Sequence, residues 1–288
     1  MYLWRSNPMD KTQANPLSKH FRQPGIYLKL PSQGRYYPEG ALELSATGEI
    51  PIYPMTVKDE LMLKTPDALI NGESVRSIIS SCCPSIKEPW AIPSVDLDAI
   101  FIAIRLASYG TEMEMTTECP HCNETTESEV NLTQLLDGIR PIDYDTLYNI
   151  EDLSIKFRPQ TYQEVNMTSM KTFEERQLIN NIIESDLPED QKKARFDESF
   201  KKLSDMNINL VVASIESITV DEQEVKDTAQ IADFLNNCSR KLYQDIREYT
   251  EKLATQNKLP DLQVKCSNEE CKKEYQSALE FDQANFFG

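Results

Sequence analysis

Glycine is scarce, 8 of 288 residues, and histidine is nearly absent, with 2. Few positions are therefore free to cradle a nucleotide phosphate on bare backbone. Imidazole-based acid–base chemistry has only His20 and His121 to draw on. None of the motifs G-x4-G-K-[ST], G-x-G-x-x-G, H-E-x-x-H or G-x-S-x-G occurs. No apolar run reaches the roughly 18 residues needed to span a bilayer. The first 24 residues place Trp4, Arg5, Asn7 and Asp10 where a secretion signal needs an apolar core. These absences lead us to expect a chain that is not an enzyme, does not cross a membrane and is not exported.

The composition is that of a folded protein, 40% hydrophobic and 27% charged. The net charge is −17, which disfavours sequence-independent binding to nucleic acid or to an anionic membrane. The charge is uneven. Residues 1–40 hold Arg5, Lys11, Lys19, Arg22, Lys29 and Arg35 against Asp10 and Glu39, a net of +4, so the remaining 248 residues carry −21. Residues 1–24 read as an extended basic arm that docks on a partner protein or on another copy of the chain.

From Ile26 to Tyr53 apolar and polar residues alternate between turn residues, which predicts two or three short strands. After Pro54 the pattern turns helical, with Thr56 and Asp59 as a capping box and Val57, Leu61 and Leu63 as core. A second helix is expected from Ser74 to Cys82, and a third from Ser94 to Tyr109, stopped by Gly110. Further on, Ile155 to Phe157 reads as a strand, and Thr168–Glu184 and the run after Pro188 as helices. Leu210–Ile215 reads as buried helix or strand, and Thr228–Gln256 as one last helix. Acidic pairs such as Asp221-Glu222 and Glu189-Asp190 read as solvated faces, given 47 carboxylates. The fold class is α+β, mainly helical: a small β element, a helical bundle and a zinc ribbon split between two β-hairpins.

The ribbon rests on Cys119-Pro-His-Cys122 and Cys266-Ser-Asn-Glu-Glu-Cys271, each flanked by alternating residues that predict a hairpin with the cysteines at its tip. Zinc takes four tetrahedral ligands, and two such tips facing one another supply four thiolates. We therefore expect Cys119, Cys122, Cys266 and Cys271 to bind one structural Zn²⁺, although 143 residues separate the two pairs. A redox pair of thioredoxin type, disulfides, or four unmetallated thiols are the alternatives. The redox reading needs a helix after the first cysteine, where the pattern predicts a strand. His121 reads as a turn residue, since four thiolates leave no coordination position open. At least one of Cys82 and Cys83 reads as core, neither has ligand spacing to the other cysteines, and Cys238 reads as core packing. The expected division is an arm (1–24), an N-terminal module with the first knuckle (25–132), an acidic helical insertion (133–261) and a closing knuckle (262–288).

The run Gly48-Glu-Ile-Pro-Ile-Tyr-Pro-Met-Thr-Val-Lys-Asp-Glu-Leu61 resembles the opening of the baseplate hub proteins of T-even-type contractile-tailed bacteriophages. Ser74–Cys83, Val95–Ser108 and Cys119-Pro-His-Cys122 through Leu132 follow in the order and spacing of that family. The resemblance covers about residues 25–135 and extends to the closing ribbon near 262–281. It implies a structural or assembly part of the tail baseplate hub, made in the host cytoplasm and destined for the virion tail. Its partners would be other hub and tail proteins. A nucleic-acid-binding zinc ribbon is the competing reading. The six glutamates around the first knuckle, Glu112, Glu114, Glu118, Glu124, Glu127 and Glu129, oppose it.

Overall fold

The computed structural model describes residues 16–63, 72–185, 187–256, 259 and 261–277. Most of the expected basic arm, residues 1–15, lies outside the described residues, as do residues 278–288. A short 3-10 turn, Pro16–His20, leads to β1 (Ile26–Lys29), which pairs antiparallel with β2 (Glu49–Ile52). Leu28 lies opposite Ile50 and Ile26 opposite Ile52. Leu28, Ile50 and Ile52 are buried against α2 (Glu73–Cys82) and α3 (Ser94–Tyr109). Leu42 makes an isolated bridge to Ile86 and adds no third strand to this sheet. Helix α3 is apolar on almost every side, with Ala99, Ile100, Phe101, Ile102, Ala103 and Ile104 all buried, so it runs through the core rather than along its edge. Gly110 ends it at φ +94.

Helix α1 (Val57–Leu63) corrects one expectation. The Thr56–Asp59 box is present: Thr56 donates its N–H to Asp59 Oδ2 at 2.8 Å, and Asp59 donates its N–H to Thr56 Oγ1 at 3.3 Å. The same carboxylate is 4% exposed and accepts from the Ser81 hydroxyl, with the Arg22 guanidinium at 3.6 Å. Asp59 and Leu63, one helical turn apart, therefore face inward. Val57 and Leu61 lie on the opposite face and are 72% and 60% exposed instead of core. A polar anchor overrides the apolar pattern.

Helix α3 feeds a long hairpin, β3 (Glu112–Glu118) with β4 (Thr125–Asn131), and β4 runs directly into α4 (Leu132–Gly138), capped by the Asn131 side chain. The chain then leaves for an excursion in which the strand expected at Ile155–Phe157 is one of four, more sheet than the helical pattern predicts. Its centre is a four-stranded antiparallel sheet of β5 (Tyr148–Ile150), β6 (Leu153–Phe157), β7 (Ile215–Val220) and β8 (Gln223–Val225). Two long helices, α5 (Tyr162–Glu184) and α6 (Glu189–Ala213), form a hairpin inserted between β6 and β7. Helix α5 starts six residues before the expected Thr168, at a capping box of Thr161 with Glu164. Leu210–Ile215 is both expected things in turn: α6 ends at Ala213 and β7 begins at Ile215.

The single helix expected over 228–256 is two, α7 (Thr228–Asn237) and α8 (Arg240–Gln256). The break falls after Asn236-Asn237, and the Ser239 hydroxyl accepts the Leu242 N–H at 3.2 Å to start the second. The excursion has its own apolar cluster, built from Ile155, Phe157, Val211, Ile215, Ile231, Ile246 and Leu253 among others. Cys238 packs at its edge. Leu259 rejoins the first core, and β9 (Leu262–Lys265) pairs antiparallel with β10 (Glu274–Ser277) to close the fold. No helix among the described residues is long and apolar enough to cross a membrane.

Candidate metal centre

Two β-hairpins meet at their tips. In each, the chain turns through a knuckle whose second cysteine is followed by a residue in the left-handed region: Asn123 at φ +58 after Cys122, and Lys272 at φ +47 after Cys271. That conformation folds the return strand back, so both sulfurs of a pair point to one side; asparagine tolerates it better than lysine does. The first knuckle is closed by Cys119 N–H to Glu124 O at 2.9 Å and Asn123 N–H to Cys119 O at 2.8 Å. The second is closed by Cys266 N–H to Lys273 O at 3.0 Å and Cys271 N–H to Asn268 O at 3.1 Å. Two unlike sequences, C-x2-C and C-x4-C, thus build the same device.

The four sulfurs converge. All lie within 4.8 Å of one another, with Cys122 Sγ 3.5 Å from Cys266 Sγ and Cys119 Sγ 4.0 Å from Cys271 Sγ. A tetrahedron with metal–sulfur bonds of about 2.3 Å has edges of about 3.8 Å, so the set is compatible with a single ion of zinc's size. None of the four is disulfide-bonded. In each pair the first cysteine is buried, Cys119 and Cys266, and the second is more accessible, Cys122 exposed and Cys271 half-buried.

Packed thiols cannot all ionise without a cation. Burial disfavours the Cys119 thiolate, but the His121 and Cys122 N–H groups and the neighbouring thiols outweigh it and hold this group down to about 7. The Glu124 N–H favours a Cys122 thiolate. Desolvation and the surrounding sulfurs overcome that and push it up to about 12. One thiolate thus forms at the expense of its neighbours, and a divalent cation relieves that competition.

The hairpins are joined by contacts that the spacing of the cysteines does not reveal. Thr117 Oγ1 and the Tyr275 hydroxyl are 2.7 Å apart and buried. Ser267 donates its N–H to Thr126 Oγ1 at 3.2 Å, and its hydroxyl donates to Thr125 O at 3.3 Å. Val264 and Tyr275 pack on Cys119 and Cys266 in a small separate apolar cluster. The signal for these partners is the alternation itself, which puts Met113, Thr117, Thr126 and Val130 on the inward face of β3–β4.

The remaining cysteines stand apart. Cys82 and Cys83 are buried in the first core, where burial pushes the Cys82 thiol up to about 12 and the Cys83 thiol well above its usual range. Burial also raises Cys238. His121 is exposed at the tip of the first knuckle. Glu112, Glu114, Glu118, Glu124, Glu127 and Glu129 are all exposed around it. The Glu189-Asp190 pair occupies the first turn of α6, where carboxylates favour the positive end of the helix.

The family model described as T4 bacteriophage base plate protein matches residues 24–288. The match runs through the excursion as well, a wider span than the resemblance over about 25–135 and the closing ribbon near 262–281. No curated protein and no solved structure matches the chain.

Proposed function

The chain belongs to the T4 bacteriophage base plate protein family, and from that premise we propose that it is a non-enzymatic structural or assembly part of the baseplate hub, held together by one zinc ion. The observation that carries the metal half of this reading is the convergence of four thiols from two distant hairpins. Cys119, Cys122, Cys266 and Cys271 would hold the ion, which leaves no coordination position for a substrate. Its work is mechanical. The excursion over 133–261 begins and ends beside the N-terminal module over 25–132, and the described part of the closing knuckle, Leu262 to Ser277, pins the return. Leu259 and Leu262 pack at the same junction, so the ion reinforces a contact that the apolar cores already favour.

Contacts with other hub and tail proteins fit the acidic body, and the basic arm over 1–24 is suited to docking on an acidic neighbour or another copy. Binding to nucleic acid is disfavoured, because the exposed face around the first knuckle is glutamate-rich and only Lys265, Lys272 and Lys273 offset it. Production in the host cytoplasm followed by a place in the virion tail completes the reading. Its test combines metal analysis with tail assembly. The purified chain should carry about one zinc per molecule. Phage supplied only with the Cys266→Ser variant should accumulate tails with defective baseplates. Normal baseplates from that variant would remove the zinc from the function, and normal baseplates without the protein would remove the hub role.

A further inference from the structure

An open cleft of about 410 Å³ lies between the excursion's sheet, α6, α8 and the start of α3. That volume lies in the range of small-ligand sites. Its lining is mixed: Ile142, Tyr144, Phe157, Leu210 and Leu253 supply an apolar stretch, and Ser94, Gln160, Asn207 and Thr250 are among its polar groups. Its charged groups are of two kinds. Arg158 is held by Glu164, with Nη2 to Oε1 at 2.6 Å, and Arg247 donates to Glu251 Oε1 at 2.7 Å. Asp98 is different. It projects from α3 into the cavity, half-buried, and makes no hydrogen bond or ion pair among the described residues. It lies beyond the opening turn of α3, where the helix dipole has faded.

An unpaired carboxylate in a partly apolar cavity is costly to keep ionised, and a cation seated beside it offsets that cost. The neighbouring arginines cannot supply the cation while they remain in their own pairs. The apolar part of the lining, Ile142, Leu210 and Leu253, suits several methylene groups behind the charge, and the net charge of −17 draws basic surfaces toward the chain. We propose that this cavity receives one lysine or arginine side chain from a neighbouring protein, its stem against Ile142, Leu210 and Leu253 and its cationic head on Asp98. The inference takes from the proposed function only that the chain works through protein contacts.

The test uses the full-length protein and three probes: n-butylammonium, n-propylguanidinium and neutral 1-pentanol. Binding is followed by the methyl resonances of Ile142, Leu210 and Leu253. The two cations should bind saturably, shift those methyls, and bind at least about tenfold more tightly than pentanol, as expected for a hydrogen-bonded ion pair. Asp98→Asn, nearly isosteric, should preserve the methyl spectrum and reduce cation affinity to the level of the alcohol. Equal binding of cation and alcohol, or an Asp98→Asn variant that binds cations as well as the parent, overturns the proposal. A full-length Arg5→Ala/Lys11→Ala variant should bind the probes as the parent does. Tighter probe binding would mean that the chain's own cations compete for the cavity, and would overturn the neighbouring protein as their source. No baseplate is needed for these measurements, so their failure leaves the proposed function standing.

Discussion

Thr117 on β3 and Tyr275 on β10 share a buried hydrogen bond of 2.7 Å across 158 positions of sequence. It lies beneath the four cysteines and joins the hairpins independently of any ion. Tyr275→Phe removes one partner and leaves Thr117 a long contact to Thr126 O at 3.5 Å, so the loss should be about 1 kcal/mol. Thr117→Val leaves the tyrosine hydroxyl buried without a partner and should cost more, about 1–3 kcal/mol. Urea unfolding of the zinc-loaded protein checks the order; equal losses would mean that packing, and not the hydrogen bond, holds the joint.

The turn between β7 and β8 is strained by its own residues. Asp221 and Glu222 both have positive φ, at +47 and +65, in a two-residue hairpin of the kind that favours glycine at its second position. Glu222→Gly should therefore stabilise the protein by about 0.5–1 kcal/mol despite the greater freedom of the unfolded chain. A higher urea midpoint at unchanged slope is the expected result; a lower midpoint would show that the glutamate side chain contributes more than the backbone loses.

That turn also shows why part of the fold was hidden in the sequence. A hairpin turn without glycine, asparagine or proline carries little turn signal, so Asp221-Glu222 read as a solvated pair and the β7–β8 strands went unseen. The β5–β6 turn at Glu151, φ +53, is equally silent, so Ile155–Phe157 reads as a strand while its partner β5 does not show. The first half was legible where local chemistry and tertiary packing agree: the Thr56–Asp59 box, the Gly110 stop, the β1–β2 alternation. It misled at Val57 and Leu61, because a buried carboxylate fixes which face of α1 turns inward, and periodicity cannot see Arg22 or Ser81 arriving from elsewhere. Thr161-Tyr-Gln-Glu164 is a helix-start signal in the sequence, and the structure uses it to begin α5. The convergence of the four cysteines is the most legible feature, since each pair reads directly from its spacing as a hairpin tip. Its supporting contacts, Thr126 with Ser267 and Thr117 with Tyr275, depend on how the hairpins cross, and spacing does not encode that.

Asp98 should leave a mark on the pH dependence of stability. Burial raises its folded-state pKa to about 6 from the ordinary 3.8. The folded chain thus holds this proton more tightly than the unfolded chain, and stability from this group is complete below about pH 4 and lost as pH rises through about 6. Asp98→Asn keeps the shape and sacrifices no hydrogen bond. It should match the parent near pH 4 and exceed it by about 1–2 kcal/mol at pH 7. Asp96 shares the direction and the window, since burial outweighs its bonds from Ser32 and Tyr37, so the parent's acid slope should shrink in the variant without vanishing. A difference between variant and parent that does not change with pH would refute the assignment.

The buried and accessible cysteines of each knuckle should separate two roles that metal removal alone cannot. Serine at any of the four positions removes a thiolate, so each variant should retain zinc less well than the parent under mild chelation. With the metal fully stripped, the positions should divide. Cys122 and Cys271 are the accessible members, and their serine variants should then melt close to the stripped parent, because the hydroxyl can reach water. Cys119 and Cys266 sit in the apolar cluster with Val264 and Tyr275. A hydroxyl there loses the packing of the larger sulfur and is desolvated, at a cost of about 1–3 kcal/mol. Their serine variants should melt below the stripped parent. If all four melt alike without metal, the hairpins do not hold together once the ion is gone, and the cluster exists only as the metal's shell. If they divide as stated, the two hairpins pack first and the ion completes a joint that packing has already placed.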